Sequence, residues 1–230
     1  MYFSIIIPTL NEAASIQHCL SALQVYRKDC ELLLVDGGSS DDTIDLATPF
    51  VDKVLLSKPG RARQMNHGAE NAKGDVLIFL HADTYLPQYA LELIASHLSH
   101  TRYWGRFDIQ LEGKHIMLKI IAFMMNWRSR LTGIATGDQV IFVKRGVFAA
   151  IGGFPDMALM EDIAISKALK KISRPVCLPT KVTSSGRRWE RHGVFQTILL
   201  MWWLRGCFAC GVHPDKLAAI YAKGRLWIRG

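Results

Sequence analysis

Short apolar runs alternate with segments of helical periodicity over the first 85 residues, and this pattern constrains the fold more than any other feature. Strands are predicted at 2–7, 32–35, 51–56 and 76–80. Helices are predicted at 11–25, 42–50, 61–72 and 87–99. Such alternation is typical of βαβ units with parallel strands. The sequence therefore predicts an α/β fold with a Rossmann-like, mostly parallel (mixed) central sheet flanked by helices.

The second half of the chain is less regular. It is predicted to contain a strand or hairpin at 102–111, a helix at 115–131, a strand at 139–143 and a helix at 162–171. The segment 194–211 is strongly apolar, but Arg205 within it argues against a membrane-spanning helix. A helix in a membrane interface and a helix packed on the protein both stay open. We expect one domain over 1–191 and an apolar helical extension over 192–230.

The chain of 230 residues has a formal net charge of +8, which favours anionic partners. Nucleic acid is not expected, because the basic residues form no solid run with interleaved aromatic side chains. A nucleotide diphosphate or an anionic membrane surface explains the charge equally well. Five cysteines, an odd number, favour a reducing compartment, so we expect a cytoplasmic protein, with peripheral contact with the inner face of the cytoplasmic membrane left open.

A cluster of polar or turn-forming residues follows each of the first four predicted strands. These are Pro8, Thr9, Asn11 and Glu12 after the first, Asp36, Gly37 and Gly38 after the second, Lys58, Arg61 and Arg63 after the third, and His81 and Asp83 after the fourth. Ligands of open α/β sheets bind beyond the carboxyl ends of the strands. The clusters are therefore expected to converge on one ligand.

The first two clusters indicate a nucleotide. Asp36 stands beside glycines that let a flat ring approach, and its carboxylate can accept from a pyrimidine imide or ribose hydroxyls. Asp41 and Asp42 are instead expected to cap the next helix. The chain has neither a GxGxxG after the first strand nor a Walker A lysine motif, which excludes the dinucleotide and P-loop interpretations.

The third and fourth clusters suit a diphosphate. Asp83 can bind a divalent ion that bridges the phosphates, or it can be a turn residue. Arg61 and Arg63 can neutralise the phosphates, or they can be solvated at a helix start.

Two acidic stretches lie farther along the chain. Glu161 and Asp162 open a predicted helix, where they either complement the helix dipole or supply a general base for an acceptor hydroxyl. Asp138 and Gln139 precede a strand and are candidates for the acceptor side.

A basic and aromatic stretch ends the domain. Arg188 can stabilise a departing pyrophosphate and Trp189 can form part of an acceptor pocket. Arg187 and Arg188 can equally be a surface basic pair.

In order, these stretches resemble glycosyltransferase family 2. The run 5–12 is similar to the family's first strand and nucleotide loop, and the run 35–43 to its acidic uridine-binding motif. His81-Ala82-Asp83 stands at the place of its metal-binding DxD, Glu161-Asp162 at the acidic pair with the catalytic base, and Arg188-Trp189 at the end of QxxRW. The segments 60–66 and 187–191 look like a small bacterial branch of radical-SAM/selenodomain-associated transferases.

The resemblance implies a GT-A fold and an inverting transfer from a nucleotide-diphosphate sugar, UDP favoured, to an acceptor hydroxyl. In this scheme Asp162 is the base, Arg188 stabilises the leaving group, and Mn²⁺ or Mg²⁺ binds at Asp83 with His81. The implied donor-binding residues are Pro8, Thr9, Asn11, Glu12, Asp36, Arg61, Arg63 and Asp83.

Three residues depart from the family pattern. Gly37 replaces a second aspartate, His81 replaces the first acid of DxD, and Ser185 stands at the glutamine position of QxxRW. The incomplete motif favours a single-addition enzyme over a processive synthase. The apolar segments 115–131 and 194–211 make a lipid-linked acceptor a reasonable expectation.

Two other functions stay open from the sequence. A sugar nucleotidyltransferase would need a glycine-rich phosphate loop after the first strand, and 9–12 is not one. A nucleotide-sugar sensor without transfer activity would not need Asp162 and Asp83.

Overall fold

The computed structural model describes residues 1–223, apart from the side chains of residues 188, 191, 192 and 223. Its strands are β1 (Phe3–Thr9), β2 (Cys30–Asp36), β3 (Lys53–Leu56), β4 (Val76–Phe79), β5 (Thr84–Tyr85), β6 (Trp104–Glu112), β7 (Ile141–Lys144) and β8 (Val176–Ser185). Its helices are α1 (Ala13–Leu23), α2 (Thr43–Ala47), α3 (Arg61–Glu70), α4 (Ala90–His97), α5 (Met117–Thr132), α6 (Arg145–Ala150), α7 (Glu161–Lys170), α8 (Arg187–His192), α9 (Val194–Ala209) and α10 (Pro214–Lys223).

Across the described residues, eight strands form one sheet in the order β3-β2-β1-β4-β7-β6-β8-β5. The strands β1 to β4 are parallel, β7 is antiparallel to both β4 and β6, and β8 is parallel to β6. The predicted α/β fold with a mostly parallel, mixed sheet is confirmed. Because β1 to β4 end at one edge, the loops that follow them are neighbours.

Helices cover both faces of the sheet. Ile5 and Ile7 of β1 pack in the apolar cluster on the side of α1 and α4, whereas Ile6 packs in the cluster on the side of α3 and α7. All three side chains are fully buried. Side chains alternate across a strand, so burial of both faces explains why this strand reads as a continuous apolar run.

The structure departs from the sequence prediction in α2 and in several elements that were not predicted, β5 and α8 among them. The helix predicted at 42–50 ends at Ala47 and continues as a 3₁₀ turn, Thr48–Phe50, because Pro49 has no N–H for the helical ladder. Neither α6 nor β8 was predicted. The sequence of β8 includes Pro179, Lys181 and Thr183, so it has no apolar run to indicate a strand.

The edge of β6 determines where α5 lies. β6 pairs with β7 only over 104–106, which leaves the backbone of Ile109 without a strand partner on that side. The Asn126 side chain takes this place: its Oδ1 accepts from the N–H of Ile109 at 2.8 Å and its Nδ2 donates to the Ile109 carbonyl at 2.9 Å. This pair of bonds fixes α5 beside the sheet.

The C-terminal helices pack on the rest of the protein. Val194 lies in one apolar cluster with Leu118 and Ile121 of α5. Leu200 and Leu204 lie in another with Ile163 of α7, together with Leu217 of α10. Within the described residues, no helix is long and apolar enough to cross a membrane.

Candidate active site

The loops after β1 and β2 form one hydrogen-bonded unit. The N–H of Asn11 donates to Ser39 Oγ at 2.8 Å, and Asn11 Oδ1 accepts from the N–H of Ser40 at 2.8 Å. The N–H of Glu12 donates to Thr43 Oγ1 at 2.8 Å. Asn11 has a left-handed backbone (φ 56°), a conformation that asparagine tolerates better than most residues. The structure thus joins the first two predicted clusters.

Asp36 is fully buried beneath this unit. Its Oδ2 accepts from the N–H groups of Gly38 and Ser39 at 2.8 and 2.7 Å, and its Oδ1 accepts from Ser39 Oγ at 2.5 Å. The carboxylate is therefore used to shape the loop. The expected contact of Asp36 with a nucleoside stays a prediction.

Asp41 accepts at the start of α2, as expected, and also at the start of α1, whereas Asp42 makes no side-chain cap bond. Asp41 Oδ2 accepts from the N–H of Ala13 at 3.1 Å, and its Oδ1 accepts from the N–H of Thr43 at 3.1 Å. The hydrogen bond from the Thr43 side chain lowers the pKa of Asp41, so the cap is ionised at neutral pH.

Gln64, which the sequence analysis did not single out, connects α3 to the two strand ends. Its Nε2 donates to the carbonyls of Thr9 and Val35, at 2.8 Å each, and the side chain is buried. A Cβ on Gly37 would lie 3.1 Å from the Gln64 amide. A larger residue at position 37 would therefore crowd the Gln64 amide.

The two arginines of α3 have different surroundings. Arg63 Nε donates to Asp156 Oδ1 at 2.8 Å, and both side chains are more than half exposed. Arg63 is thus held by a surface ion pair, and its predicted phosphate contact requires this pair to open.

Arg61 faces the acidic side of the cleft. Partial desolvation acts to lower the pKa of Arg61, but the acidic groups around it outweigh this effect and raise the pKa. These groups are Tyr221, Glu161, Asp138 and Asp162. Arg61 is therefore a permanent cation within electrostatic range of these groups.

His81 is directed towards the loop before β7. Its Nδ1 lies 3.3 Å from Asp138 Oδ1, and a Cβ on Gly137 would lie 2.7 Å from the ring. Among the described residues, no three His, Cys, Asp or Glu side chains converge as a metal site. The predicted pairing of His81 with Asp83 as metal ligands is therefore not assembled in this structure.

Asp83 faces a different cation. Arg187 Nη2 donates to Asp83 Oδ2 at 3.2 Å and lies 3.6 Å from Glu12 Oε2. The turn between β8 and α8 holds this arginine, because Arg187 Nε donates to Ser185 Oγ at 3.0 Å. The sequence analysis assigned the leaving-group role to Arg188, whose side chain lies outside the described residues.

Asp83 supplies part of a binding site for a divalent metal ion. Asp83 is half-buried at a strand end and offers one carboxylate. Mg²⁺ commonly binds through one or two carboxylates, substrate phosphates and water. Asp83 with a diphosphate matches this donor set, and Arg187 is the group that has to move.

Glu161 and Asp162 begin α7 after Met160, whose left-handed backbone (φ 70°) turns the chain into the helix. Asp162 Oδ2 accepts from the N–H of Gly137 at 3.1 Å, and its Oδ1 accepts from its neighbour Ile163 at 2.7 Å. Desolvation, and next the charge of Glu161, raise the pKa of Asp162 to about 6. A carboxylate with this pKa is ionised at neutral pH and is a stronger base than an ordinary aspartate.

Gln139 does not reach the cleft. It is fully buried, its Oε1 accepts from the N–H of Thr136 at 3.2 Å, and its Nε2 donates to Asn126 Oδ1 at 3.3 Å. These bonds hold the loop before β7, and the acceptor-side role of Gln139 stays a prediction.

Trp189 lies partly buried at the junction of α5 and α9, against the cluster of Leu118, Ile121 and Val194. Its predicted place in an acceptor pocket stays a prediction.

Arg128 of α5 is a second residue that the sequence analysis missed. Its Nε and Nη2 atoms are buried without hydrogen-bond partners. Burial lowers the pKa of Arg128, while the negative charge of Asp162 acts in the opposite direction. Two unpaired guanidinium nitrogens within electrostatic range of the candidate base suit an anionic ligand group.

Comparison with known proteins identifies relatives of the whole arrangement. Residues 4–151 match the family described as Glycosyl transferase family 2. The chain is 43% identical over 180 residues to a PGL/p-HBAD biosynthesis glycosyltransferase of Mycobacterium tuberculosis, covering 66% of this chain and 62% of the relative. It is 27% identical over 195 residues to an uncharacterized glycosyltransferase of Haemophilus influenzae, covering 79% and 77%. The chain thus spans 62% of the length of the mycobacterial relative.

Solved structures share the fold. TarS of S. aureus in complex with UDP-GlcNAc has a TM-score of 0.63 at 19% identity, covering 80% of this chain and 58% of TarS. The mannosyltransferase PcManGT of Pyrobaculum calidifontis, in complex with GDP-Man and Mn²⁺, has a TM-score of 0.63 at 20% identity, covering 96% and 68%. The expected GT-A fold is confirmed.

Proposed function

The chain belongs to glycosyltransferase family 2, and we propose that it transfers one sugar from a nucleotide-diphosphate donor to an acceptor hydroxyl with inversion. The observation that carries the proposal is Asp162. It is desolvated at the start of α7, has a pKa of about 6, and lies near the cations Arg61 and Arg128. A base that is ionised at neutral pH, next to groups that bind anions, is the arrangement that sugar transfer from a nucleotide requires.

The donor site in this proposal is the joined loop unit after β1 and β2. Pro8, Thr9, Asn11 and Glu12 form its first side, and the loop shaped by Asp36 forms its second side. UDP is the favoured nucleotide because the 35–43 segment is similar to a uridine-binding motif. Of the solved structures that share the fold, TarS is complexed with UDP-GlcNAc and PcManGT with GDP-Man, so both nucleotides belong in the test.

The diphosphate lies, in this proposal, between Asp83 and the cations around it. Asp83 holds Mn²⁺ or Mg²⁺, which supplies charge neutralisation of the leaving diphosphate. Arg187 turns from Asp83 to a phosphate oxygen, because a guanidinium binds phosphate at least as well as a single carboxylate.

On the acceptor side, the acceptor hydroxyl donates its proton to Asp162. The hydroxyl oxygen attacks the anomeric carbon of the donor sugar. The bond from that carbon to the diphosphate oxygen breaks on the opposite face, so the configuration inverts. The ionised Asp162 carboxylate is available for this step above pH 6. Glu161 is almost fully buried, and in this scheme its negative charge raises the pKa of Asp162.

The acceptor and the branch of the family are proposed on narrower grounds. Arg128 favours an acceptor that carries an anionic group, such as a lipid-linked phosphate, close to the reacting hydroxyl. The radical-SAM/selenodomain-associated branch is proposed from the segments 60–66 and 187–191 alone, and it does not define the substrate.

A two-stage experiment tests the function. Thermal unfolding is followed with UDP- and GDP-sugars, with and without Mn²⁺, since a bound donor raises the unfolding temperature. Sugars that stabilise the protein are then incubated with Mn²⁺, and the released or transferred sugar is followed by NMR, which also reports the anomeric configuration. Release of a β-configured sugar from an α-linked donor, lost in Asp162→Asn, supports inverting transfer. Stabilisation by a donor without any turnover would favour a sensor, and donor synthesis from a sugar phosphate would favour a nucleotidyltransferase.

A further inference from the structure

Two helices expose apolar faces to solvent. Side chains spaced three or four residues apart lie on one face of a helix. On α5 and the residue before it these are Ile116, Ile120, Phe123, Met124, Trp127 and Leu131, and on α9 they are Phe195, Leu199, Trp202 and Trp203. Each of these side chains is between 44% and 71% exposed. We call this surface the α5–α9 face.

The two halves of the face are adjacent. Val194 of α9 packs with Leu118 and Ile121 of α5, and Ile198 and Met117 lie against the same cluster. Of the eighteen large apolar side chains exposed in the described residues, ten belong to this face. Scattered single apolar residues are normal on a protein surface, but a concentration of this kind marks an interaction site.

The charges of the two helices have one sign. α5 carries Lys119, Arg130, which pairs with Asp108, and Arg128, whose Nε and Nη2 are buried. α9 carries Arg205, and neither helix contains an aspartate or glutamate. The whole chain has a net charge of +8. An apolar face with cationic residues on its helices is complementary to a bilayer that contains anionic lipids.

The shape of the face suits a helix pair lying on a membrane rather than crossing it. Both helices have 16 residues, which corresponds to about 24 Å, shorter than the roughly 30 Å of a hydrocarbon core. Trp127, Trp202 and Trp203 are exposed on it, and tryptophan is enriched at the level of lipid headgroups.

A groove of about 530 Å³ opens beside the α5 half of the face, between α5 and the strands β6 and β8. Phe123 and Trp127 form its apolar wall, and its charged lining consists of three cations and two carboxylates: Lys119, Arg130, Lys181, Asp108 and Glu112. The apolar wall and the cationic side chains of the groove suit an amphipathic anion. A phospholipid, with its acyl chains and negatively charged headgroup, is such a molecule.

We propose that the α5–α9 face binds the surface of a bilayer containing anionic lipids. The proposal goes beyond sugar transfer and does not rest on it, because vesicle binding is measured without any donor. It places the cleft close to the membrane surface, since Arg128 belongs to α5 and Trp189 lies at the junction of the two helices.

The test is co-sedimentation of the full chain with vesicles of phosphatidylcholine alone and of phosphatidylcholine with about 30% phosphatidylglycerol. The probe variant is Trp127→Glu with Trp202→Glu. The control is Val25→Glu, which places the same charge at a side chain that is 78% exposed on another surface. A milder pair, Trp127→Gln with Trp202→Gln, and thermal unfolding of every variant separate loss of binding from loss of folding.

The expected result is binding of the wild-type protein to the anionic vesicles, with a partition coefficient at least about tenfold lower in the Trp127/Trp202 pairs and unchanged in Val25→Glu. The proposal is overturned if the wild-type protein stays in the supernatant with both vesicle types. It is equally overturned if the two double variants at Trp127 and Trp202 bind the anionic vesicles as well as Val25→Glu does. Light scattering tests whether a second copy of the chain occupies the face instead. If the wild-type protein does not bind vesicles but forms a dimer that these substitutions dissociate, the face is an interface between two copies of the chain.

Discussion

Arg187 Nη2 lies 3.2 Å from Asp83 Oδ2, so a cation of the chain itself sits on the carboxylate best suited to a divalent metal. The Arg187 side chain is 56% exposed and that of Asp83 29%. An ion pair in such partly exposed surroundings contributes little free energy, because water screens the charges. A diphosphate can therefore draw Arg187 away from Asp83, and a metal ion can take its place.

Replacing Arg187 with methionine is expected to tighten Mn²⁺ binding to the donor-free protein. The competing guanidinium is lost, and the small energy of a partly exposed pair corresponds to about a 1.5- to 5-fold gain in affinity. Titration calorimetry with Mn²⁺ measures the change, and the affinity for the nucleotide sugar is expected to fall in the same variant.

The control for this prediction is Arg63→Met, which removes a guanidinium from the surface pair with Asp156. Its Mn²⁺ affinity should stay at the wild-type value. Unchanged Mn²⁺ binding in Arg187→Met, or retained binding in Asp83→Asn, would contradict the assignment of Asp83 as the metal ligand.

The rate of transfer is expected to rise with pH up to about 6 and to level off above it. Desolvation and Glu161 raise the pKa of Asp162 to about 6, so below that pH the base is increasingly protonated. Each further pH unit downward leaves about tenfold less carboxylate and slows transfer accordingly. A pH profile of the rate at saturating donor measures this acid limb.

A substitution of Glu161 is the control for the acid limb of this pH profile. Glu161→Gln removes the negative charge that raises the pKa of Asp162, so the limb should move to lower pH while transfer persists. Asp162→Asn should slow transfer about 100- to 10,000-fold above pH 6, where the wild-type base is ionised, and should remove the acid limb. The reverse pattern, with Glu161→Gln inactive and Asp162→Asn active, would make Glu161 the base.

Gln64→Leu is expected to destabilise the protein and to weaken donor binding together. The Gln64 amide donates to the carbonyls of Thr9 and Val35, and losing these two buried hydrogen bonds costs about 1–3 kcal/mol of unfolding free energy. The same two strand ends carry the donor loops. Urea unfolding gives the stability, and a fluorescence titration gives the donor affinity.

Gln24→Leu is the matched control for Gln64. Gln24 also donates to two carbonyls, those of Leu20 and Phe50, but it belongs to the segment after α1. It should lower stability without changing donor affinity. Equal losses of affinity in both variants would show that donor binding follows overall stability and not the Gln64 contacts.

The elements that the sequence predicted well are those with a local signal. The strands β1, β2 and β4 are buried apolar runs, and the clusters after them meet because parallel strands share an edge. The start of α7 was predicted because two adjacent acids, Glu161 and Asp162, open a helical pattern. These features depend on neighbouring residues, so one segment of sequence is enough to indicate them.

The features that the sequence did not reveal depend on contacts between distant segments. Arg187 reaches Asp83 across 104 positions, and Gln64 reaches Thr9 across 55. Asp36 looked available to a ligand, but its carboxylate is used by the N–H groups of its own loop. No periodicity or motif predicts such contacts, because a local pattern does not show which distant residue a polar side chain will contact.

Arg128→Met is expected to stabilise the fold while it slows transfer. The Arg128 Nε and Nη2 atoms are buried without partners, and removing such a group relieves a desolvation cost of about 1–3 kcal/mol. If the guanidinium is kept to bind an anionic group of the acceptor, its loss should raise the KM for the acceptor and leave donor affinity unchanged. Arg130→Met, on the same helix, removes a guanidinium paired with Asp108 and should destabilise the protein instead. A stability for Arg128→Met below the wild-type value, measured by urea unfolding, would mean that its nitrogens are satisfied within the protein, and an unchanged KM would remove it from the acceptor site.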